Sequence, residues 1–448
     1  MAEASRTRFN VYVRWRPLTE SEADEGQIFE NKTITNPELS LSSISVKQDQ
    51  KNLRPWTSST AFKHVFNPQD DNTAIYGNVV ASAVPQVLEG KSCNVFAYGH
   101  SGSGKTHTIV GYDFTAPEKR GLCIAASKQL FEALDNLQGT GDGSKFGIGL
   151  SLFELRRKVA FDLLNERTEC HIREGSDGKV HIRGETEVLE GGKVRVQPLT
   201  QRACWTYEAL LRQLEENIGK RAVGSSTVHD QSSRTHLVLK LEIINRELID
   251  ARCELIDRES ELVPVGKRAT DISIEEQMKV MICNAEGVWV QKPGHQLNQE
   301  RIDEAEAEKA KYEAKVTAAQ EKVESIPKSS KATCLGGKMM FVDLAGAEYH
   351  DPDRSRARTV KQSPQEQQEG RQINTDLLAL KEVIRAWSTN QARIPFRNSP
   401  LTMVLREHFL GSKNGSSSMI VAVSPAMNQY SATLNSLKYG SLVGAAGL

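Results

Sequence analysis

Apolar positions along this chain alternate between the two-residue period of a strand and the wider period of a helix. Phe9-Asn10-Val11-Tyr12-Val13-Arg14 alternates and stops at Arg16-Pro17, where proline removes a ladder donor, so a first strand is predicted there. Residues 74–88 place Ile75, Val79, Val80, Val84, Val87 and Leu88 near helical spacing up to Gly90, with Pro85 predicting a kink. The apolar run Cys93-Asn94-Val95-Phe96-Ala97-Tyr98 reads as a buried strand. Residues 128–137 and 206–218 read as helices, and residues 147–153, 236–243 and 338–342 as strands. Strands interleaved with helices predict an α/β domain around a central sheet.

Between the last two of those strands, residues 245–337 differ in composition from their surroundings and read as an insertion. Residues 302–326 are rich in Ala, Glu and Lys. A seam at Ile302, Ala305, Lys309, Tyr312, Val316, Ala319, Val323 and Ile326 predicts a helix closed by Pro327. Lys279-Val280-Met281-Ile282-Cys283 and Val288-Trp289-Val290 flank Asn284-Ala285-Glu286-Gly287, a hairpin signal. The insertion is therefore expected to be a folded subdomain whose helical seam packs back on its own motor domain, the alternative being that it binds a partner.

Charge and cysteine content narrow the partners. The 448 residues carry 57 Lys+Arg and 57 Asp+Glu, so no net field draws the chain to nucleic acid or to an anionic membrane. The seven cysteines form no CxxC pair and no metal-like spacing, which predicts reduced, mostly buried thiols. Residues 1–8 lack the apolar core of a signal peptide, and nowhere do eighteen apolar residues run together. A protein of the cytosol or nucleus is expected.

The chemistry begins after the Cys93 to Tyr98 run, at Gly99-His100-Ser101-Gly102-Ser103-Gly104-Lys105-Thr106, a complete GxxxxGK[ST] phosphate loop. Its glycines let backbone N–H groups close around phosphates, Lys105 reaches the β/γ oxygens, and the Thr106 hydroxyl is placed to ligate Mg²⁺. Hydrolysis needs further groups that notice the third phosphate. Asp343-Leu344-Ala345-Gly346 follows a strand, where a carboxylate can hold Mg²⁺ through water and the Gly346 N–H can approach the γ-phosphate. Gln231-Ser232-Ser233-Arg234-Thr235-His236 offers hydroxyls and a guanidinium just before a strand.

These segments, in this order, resemble the kinesin motor domain over nearly all of the chain outside the insertion. Val11 to Pro17 is similar to the family's opening strand and adenine-side RxRP, and Phe96 to Thr108 to its phosphate loop. Ser232 to His236 resembles the first switch, and Asp343 to Glu348 the second. Residues 373–380, Ile394-Pro395-Phe396-Arg397-Asn398-Ser399 and residues 433–439 resemble the switch helix, the IPYRDS stretch and the last helix. The resemblance implies a P-loop NTPase-type fold, a mixed, mostly parallel sheet flanked by helices, spanning 1–448 with the 245–337 insertion at a sheet edge away from the nucleotide. It implies an ATPase that binds microtubules in the cytoplasm, on the cytoskeleton and at the spindle.

The same resemblance carries roles onto single positions. Arg14, Pro17 and His107 would lie at the adenine, and Gly99, His100, Ser101, Gly102, Ser103, Gly104 and Lys105 at the phosphates. Thr106 and Ser233 would ligate Mg²⁺, with Asp343 reaching it through water. Ser232 belongs to the first switch, Gly346 would sense the γ-phosphate, and an Arg234 to Glu348 ion pair would close around the attacking water. Arg221 matches a family arginine just before the first switch.

Four positions depart from the pattern. His229 stands for an asparagine and Ala347 for a serine, both near the catalytic water by resemblance. Pro400 and Met403 stand for a lysine and an arginine that face tubulin, whereas Arg397 is kept. A cluster of Arg354, Arg356, Arg358 and Lys361 is a candidate for compensating the lost charge. These departures define the alternative reading, a nucleotide-binding, weakly hydrolysing, non-motile relative acting as a microtubule-associated or scaffolding protein. An unrelated P-loop NTPase acting on nucleic acid or a small molecule is disfavoured by the neutral charge and the three switch-like segments.

Overall fold

The computed structural model describes residues 9–20, 22, 26–36, 40–47, 54–138, 145–175, 178–221, 234–283, 287–292, 294, 296–330, 332–347, 363–389, 391–410 and 414–445. In chain order, β1 (Phe9–Trp15) is followed by a separate small sheet of β2 (Phe29–Asn36), β3 (Leu41–Lys47) and β4 (Trp56–Thr57), and then by β5 (His64–Phe66). Next come α1 (Asn72–Val79), α2 (Val84–Leu88), β6 (Ser92–Tyr98), α3 (Lys105–Ile109) and α4 (Leu122–Gln138). A stretch of strands follows: β7 (Gly147–Arg156), β8 (Val159–Asp162), β9 (Thr168–Glu174), β10 (Val180–Val188), β11 (Val194–Pro198) and β12 (Arg202–Cys204). After α5 (Tyr207–Ile218) and β13 (His236–Ile244), the chain forms α6 (Arg246–Val280), β14 (Met281–Cys283), β15 (Trp289–Gln291) and α7 (Gln299–Ser329). It finishes with β16 (Lys338–Asp343), α8 (Pro364–Ser388), α9 (Pro400–Leu410), β17 (Asn414–Val423) and α10 (Tyr430–Ala445).

Two compact units result, one of residues 1–183, 199–244 and 334–448, the other of 184–198 and 245–333. The first is built on a mixed sheet ordered β10-β9-β8-β7-β13-β16-β6-β17-β1-β5. Its β16-β6-β17-β1-β5 section is parallel, and the β7 to β10 flank is an antiparallel meander. Parallel strands covered on both faces read as continuous apolar runs, and β6 and β16 are buried along almost their whole length. Phe9 anchors the core, its ring centroid 5.8 Å from those of Phe96, Trp387 and Phe409.

The helix expected over 74–88 is broken into α1, a 3-10 turn at Ala81–Ala83 and α2. Pro85 has no N–H to give the Ala81 carbonyl, so α2 starts afresh with proline in its first turn.

In the second unit α6 and α7 pair antiparallel, with Glu254 bonded to Lys322 at 2.8 Å and Arg268 to Glu308 at 3.4 Å. Each starts on an asparagine cap: Asn245 Oδ1 accepts from the Leu248 N–H, and Asn298 Oδ1 from the Arg301 N–H. Ala305, Ala319 and Ile326 of the predicted seam are buried on α7. Pro327 does not close that helix, which runs on to Ser329. Ser329 Oγ donates to the Ser325 carbonyl at 3.0 Å and the Ser330 N–H to that of Ile326 at 3.1 Å, supplying donors the last turn otherwise lacks. The connection bearing these elements joins neighbouring interior strands, β13 and β16, at the end of the sheet opposite Asp343, and not a lateral edge.

Candidate nucleotide site

Strand register assembles the site. Asp343 at the end of β16 lies beside Ala97 of β6 and opposite Leu237 of β13. The phosphate loop, the Asp343 segment and the residues entering β13 therefore meet at one end of the sheet. Gly104 holds a left-handed φ of 93° immediately before α3, a conformation a side chain would strain. At Gly346 a Cβ would lie 2.7 Å from the Ser101 nitrogen, so only glycine lets the strand exit touch the loop. The Ala347 N–H then reaches the Gly99 carbonyl at 3.3 Å, and Ala347 bridges His100.

The charged groups converge on one carboxylate. Asp343 Oδ2 accepts from Thr106 Oγ1 at 2.6 Å and from Arg221 Nη1 at 2.5 Å. Arg221 also donates through Nη2 to the Thr235 carbonyl at 2.7 Å and through Nε to Thr235 Oγ1 at 3.2 Å. Asp343 is fully buried, and its Oδ1 has no hydrogen-bond partner among the described residues. Lys105 is buried with its Nζ donating to the His100 carbonyl at 2.7 Å. Burial pushes its ammonium down to about 8, against the upward pull of Asp343, with Arg221 adding to the fall. The Ser103 hydroxyl is likewise buried without a partner among the described residues. An orphaned carboxylate oxygen next to a hydroxyl suits a hard cation, and a desolvated ammonium on a loop of backbone N–H groups suits a phosphate chain. Bound Mg²⁺ and a nucleoside triphosphate fit these residues.

On the other side of the loop, Arg14 is buried with Nη1 on Thr108 Oγ1 at 2.6 Å. Burial lowers it to about 10 despite Asp71 and Asp70. His107 is pushed down to about 4 by burial and by Arg14, so its ring is neutral at pH 7 and suited to lie against a base. Pro17 is exposed, and its carbonyl accepts from Arg16 Nη1 at 2.7 Å. Arg16, within the RxRP stretch but given no role by the motif reading, braces the Gly102 carbonyl through Nε at 2.8 Å while its other nitrogens grip Glu22 at 2.5 and 2.7 Å.

A second missed element links the site to α8. The Ala345 N–H donates to His236 Nδ1 at 3.1 Å, which leaves the ring proton on Nε2, 3.7 Å from Asp376 Oδ2. All three groups are buried. His100 joins the loop to α10, its Nε2 lying 3.3 Å from Thr433 Oγ1.

Arg234 is buried two residues ahead of β13. Ser232, Ser233, Glu348 and His229, and the cluster Arg354, Arg356, Arg358 and Lys361, lie outside the described residues. Pro400 has a structural reason: it is the first residue of α9, where a missing N–H costs nothing, behind a reciprocal cap between Ser399 and Thr402. Arg397 is held bidentately by Glu174 at 2.8 and 2.9 Å, and Arg406 shares that carboxylate at 2.9 Å.

A phosphate loop after a central parallel strand, facing a strand-end carboxylate on the neighbouring strand, defines a P-loop nucleotide-binding α/β protein. The chain belongs to the kinesin motor domain family, whose sequence pattern matches residues 14–266 and 312–445. Among curated proteins it is 26% identical over 438 residues to kinesin-like protein KIN-13B of Arabidopsis thaliana, covering 97% of this chain and 47% of that protein. It is 27% identical over 443 residues to kinesin-like protein KIN-13A of Oryza sativa subsp. japonica, covering 98% and 41%. The chain thus spans less than half the length of these relatives. Its fold is similar to that of a KIF14 dimer in a two-heads-bound state with AMP-PNP, in complex with a microtubule. That match has a TM-score of 0.60 and 22% identity and covers 98% of this chain and 94% of that one. It also resembles the motor domain of the Kar3-like kinesin from Ashbya gossypii, with a TM-score of 0.58 and 20% identity, covering 97% and 99%.

Proposed function

We propose that this chain is a magnesium-dependent ATPase whose nucleotide state governs its grip on microtubules. The observation that carries the reading is the meeting of Thr106 and Arg221 on one oxygen of buried Asp343, with the other oxygen free of partners among the described residues, beside desolvated Lys105. Gly99, His100, Ser101, Gly102, Ser103, Gly104 and Lys105 hold the phosphates, and Arg14, Pro17 and His107 face the adenine. Thr106, Ser233 and, through water, Asp343 hold Mg²⁺, which when bound neutralises charge on the phosphate oxygens. Gly346 senses the γ-phosphate, while Ser232 and an Arg234 to Glu348 pair keep the attacking water in line. Arg221 holds Asp343 in its orientation through Oδ2. Catalysis of this kind is positioning and charge neutralisation, so each buried charged partner counts for orders of magnitude in rate.

Residues 1–448 are read as one motor domain carrying an insertion at 245–337, supported by the family match leaving out 267–311. The microtubule partner is supported by the family and by the microtubule complex of KIF14. Work in the cytoplasm, on the microtubule cytoskeleton and at the spindle follows from that partner. The test is steady-state ATP turnover with and without microtubules at two salt concentrations. Strong stimulation that fades as salt rises supports a motor; turnover indifferent to microtubules points to a non-motile relative.

A further inference from the structure

We propose that Tyr112 is a further nucleotide-contact residue, its ring covering the sugar that joins the base of the bound nucleotide to its phosphates. The inference rests on the ATPase reading above and adds to it a residue outside the motifs that carry that reading. Tyr112 is 77% accessible, an aromatic side chain left almost wholly in water.

The segment that bears it is a tightly closed loop. Tyr112 follows α3, and the two ends of the loop are locked together: Gly111 bridges Arg120 in antiparallel fashion, and the Gly121 N–H donates to the Val110 carbonyl at 3.0 Å. A Cβ on Gly111, where φ is 84°, would lie 2.4 Å from the Lys119 carbonyl oxygen, and one on Gly121 would lie 2.1 Å from the Val110 carbonyl carbon. Buried Asn72 donates through Nδ2 to the carbonyls of both His107, at 3.0 Å, and Arg120, at 2.9 Å, so α3 and the end of the loop share one anchor. Within the loop, Asp113 Oδ1 accepts from the Thr115 N–H at 2.9 Å and from its hydroxyl at 2.6 Å. Arg120 donates to the carbonyls of Phe114 at 2.7 Å and Thr115 at 2.8 Å. The loop thus fixes Tyr112 in place without covering it, which is the arrangement of a preorganised ligand contact.

The neighbours of Tyr112 show what covers it. Its ring lies 5.3 Å from that of His107, centroid to centroid and tilted by 39°, which puts it beside the base end of the site. Its hydroxyl belongs to the other end. Desolvation lifts the hydroxyl above its ordinary pKa, with Asp343 adding to the rise and Arg221 opposing it. A side chain open to water whose hydroxyl is still desolvated lines a concavity, and the charges that reach it are the pair meeting at the metal end of the site. A nucleotide running from His107 to Asp343 passes Tyr112 with its sugar. An aromatic face against sugar C–H groups adds dispersion and excludes water without touching the bond that breaks. Such a contact strengthens ground state and transition state alike, so it acts on KM and not on kcat.

Titration calorimetry of the whole chain with Mg²⁺ and ADP, or with Mg²⁺ and inorganic tripolyphosphate, tests this in the parent, Tyr112→Ala and Tyr112→Phe. Tyr112→Ala should weaken ADP about fivefold and leave tripolyphosphate, which has no sugar, unchanged. Tyr112→Phe keeps the ring and should bind ADP within about twofold of the parent. In steady-state turnover Tyr112→Ala should raise KM for ATP about fivefold, with kcat altered less than about twofold; damage to the loop's frame would lower kcat and thermal stability as well. ADP binding by Tyr112→Ala equal to the parent's would overturn the proposal, as would an equal loss for ADP and tripolyphosphate, or a Tyr112→Phe variant as weak as Tyr112→Ala. A parent that binds no ADP would overturn the nucleotide reading itself and this proposal with it, so the two failures are told apart by the parent alone.

Discussion

Thr106 Oγ1 donates to Asp343 Oδ2 across 2.6 Å, joining α3 to the end of β16 by one part-buried hydrogen bond between residues 237 positions apart. In the motor reading these two groups are the metal's inner and water-bridged ligands. Asp343→Asn keeps the shape and removes the charge, and ATP turnover is expected to fall on the order of 100-fold or more with the fold intact. Chelating Mg²⁺ should silence the parent to the same level. A variant that turned over normally would remove Asp343 from the site.

Lys105 gives a proton signature. In the free protein burial holds it at about 8, below its ordinary 10.5. Phosphate oxygens raise it again, so ATP binding above pH 8 should take up a proton and weaken as pH climbs through that value. Titration calorimetry in two buffers of different ionisation heat measures the uptake. Equal observed heats in the two buffers, meaning no proton is taken up, would show that Lys105 does not meet the phosphates.

Arg16 and Glu22 tie the phosphate loop to the stability of the whole unit. Burial raises Glu22, but its Arg16 and Thr19 hydrogen bonds win and hold it down at about 2. A carboxyl lowered in the folded state adds stability that is full above its ordinary 4.5 and is lost as pH falls toward 2. Glu22→Gln should therefore cost about 3 kcal/mol at pH 7 and flatten the acid limb of the stability curve. Urea melts at pH 7, 4 and 3 check both. Parallel curves for the two proteins would contradict it.

Glu174 occupies the guanidinium of Arg397, the cation retained on the face assigned to tubulin. Those hydrogen bonds from Arg397 and Arg406 hold its carboxyl at about 2, so it is charged at any working pH. Glu174→Gln frees both arginines and should tighten microtubule binding about fivefold at low salt, with the gain vanishing as ions screen it. Co-sedimentation reads the change. Weaker binding would mean that Glu174 orients Arg397 rather than competing for it.

The local chemistry of the site was legible in sequence, and its long-range pairing was not. A phosphate loop is specified by contiguous residues, and an Asp at a strand end can be seen from its own neighbours. Arg16 on Gly102 and His236 between Ala345 and Asp376 depend on strand register, which periodicity alone does not give. The 35-residue α6 escaped because Pro264 lies inside it and its buried positions, Leu248, Ala251, Ser260, Val265, Ala269, Glu276 and Val280, include few large apolar residues. Its partner α7 was visible through the Ala/Glu/Lys seam, although Pro327 was taken as a stop that the terminal serines bridge.

The most direct measurement is the affinity for microtubules in AMP-PNP against ADP, read by co-sedimentation at one salt concentration. If a γ-phosphate held by Lys105, Gly346 and the Asp343-bound metal sets the contact face, binding is at least tenfold tighter in AMP-PNP, and Thr106→Ala abolishes the difference. Equal affinity in the two nucleotides would contradict any coupling between this site and the filament.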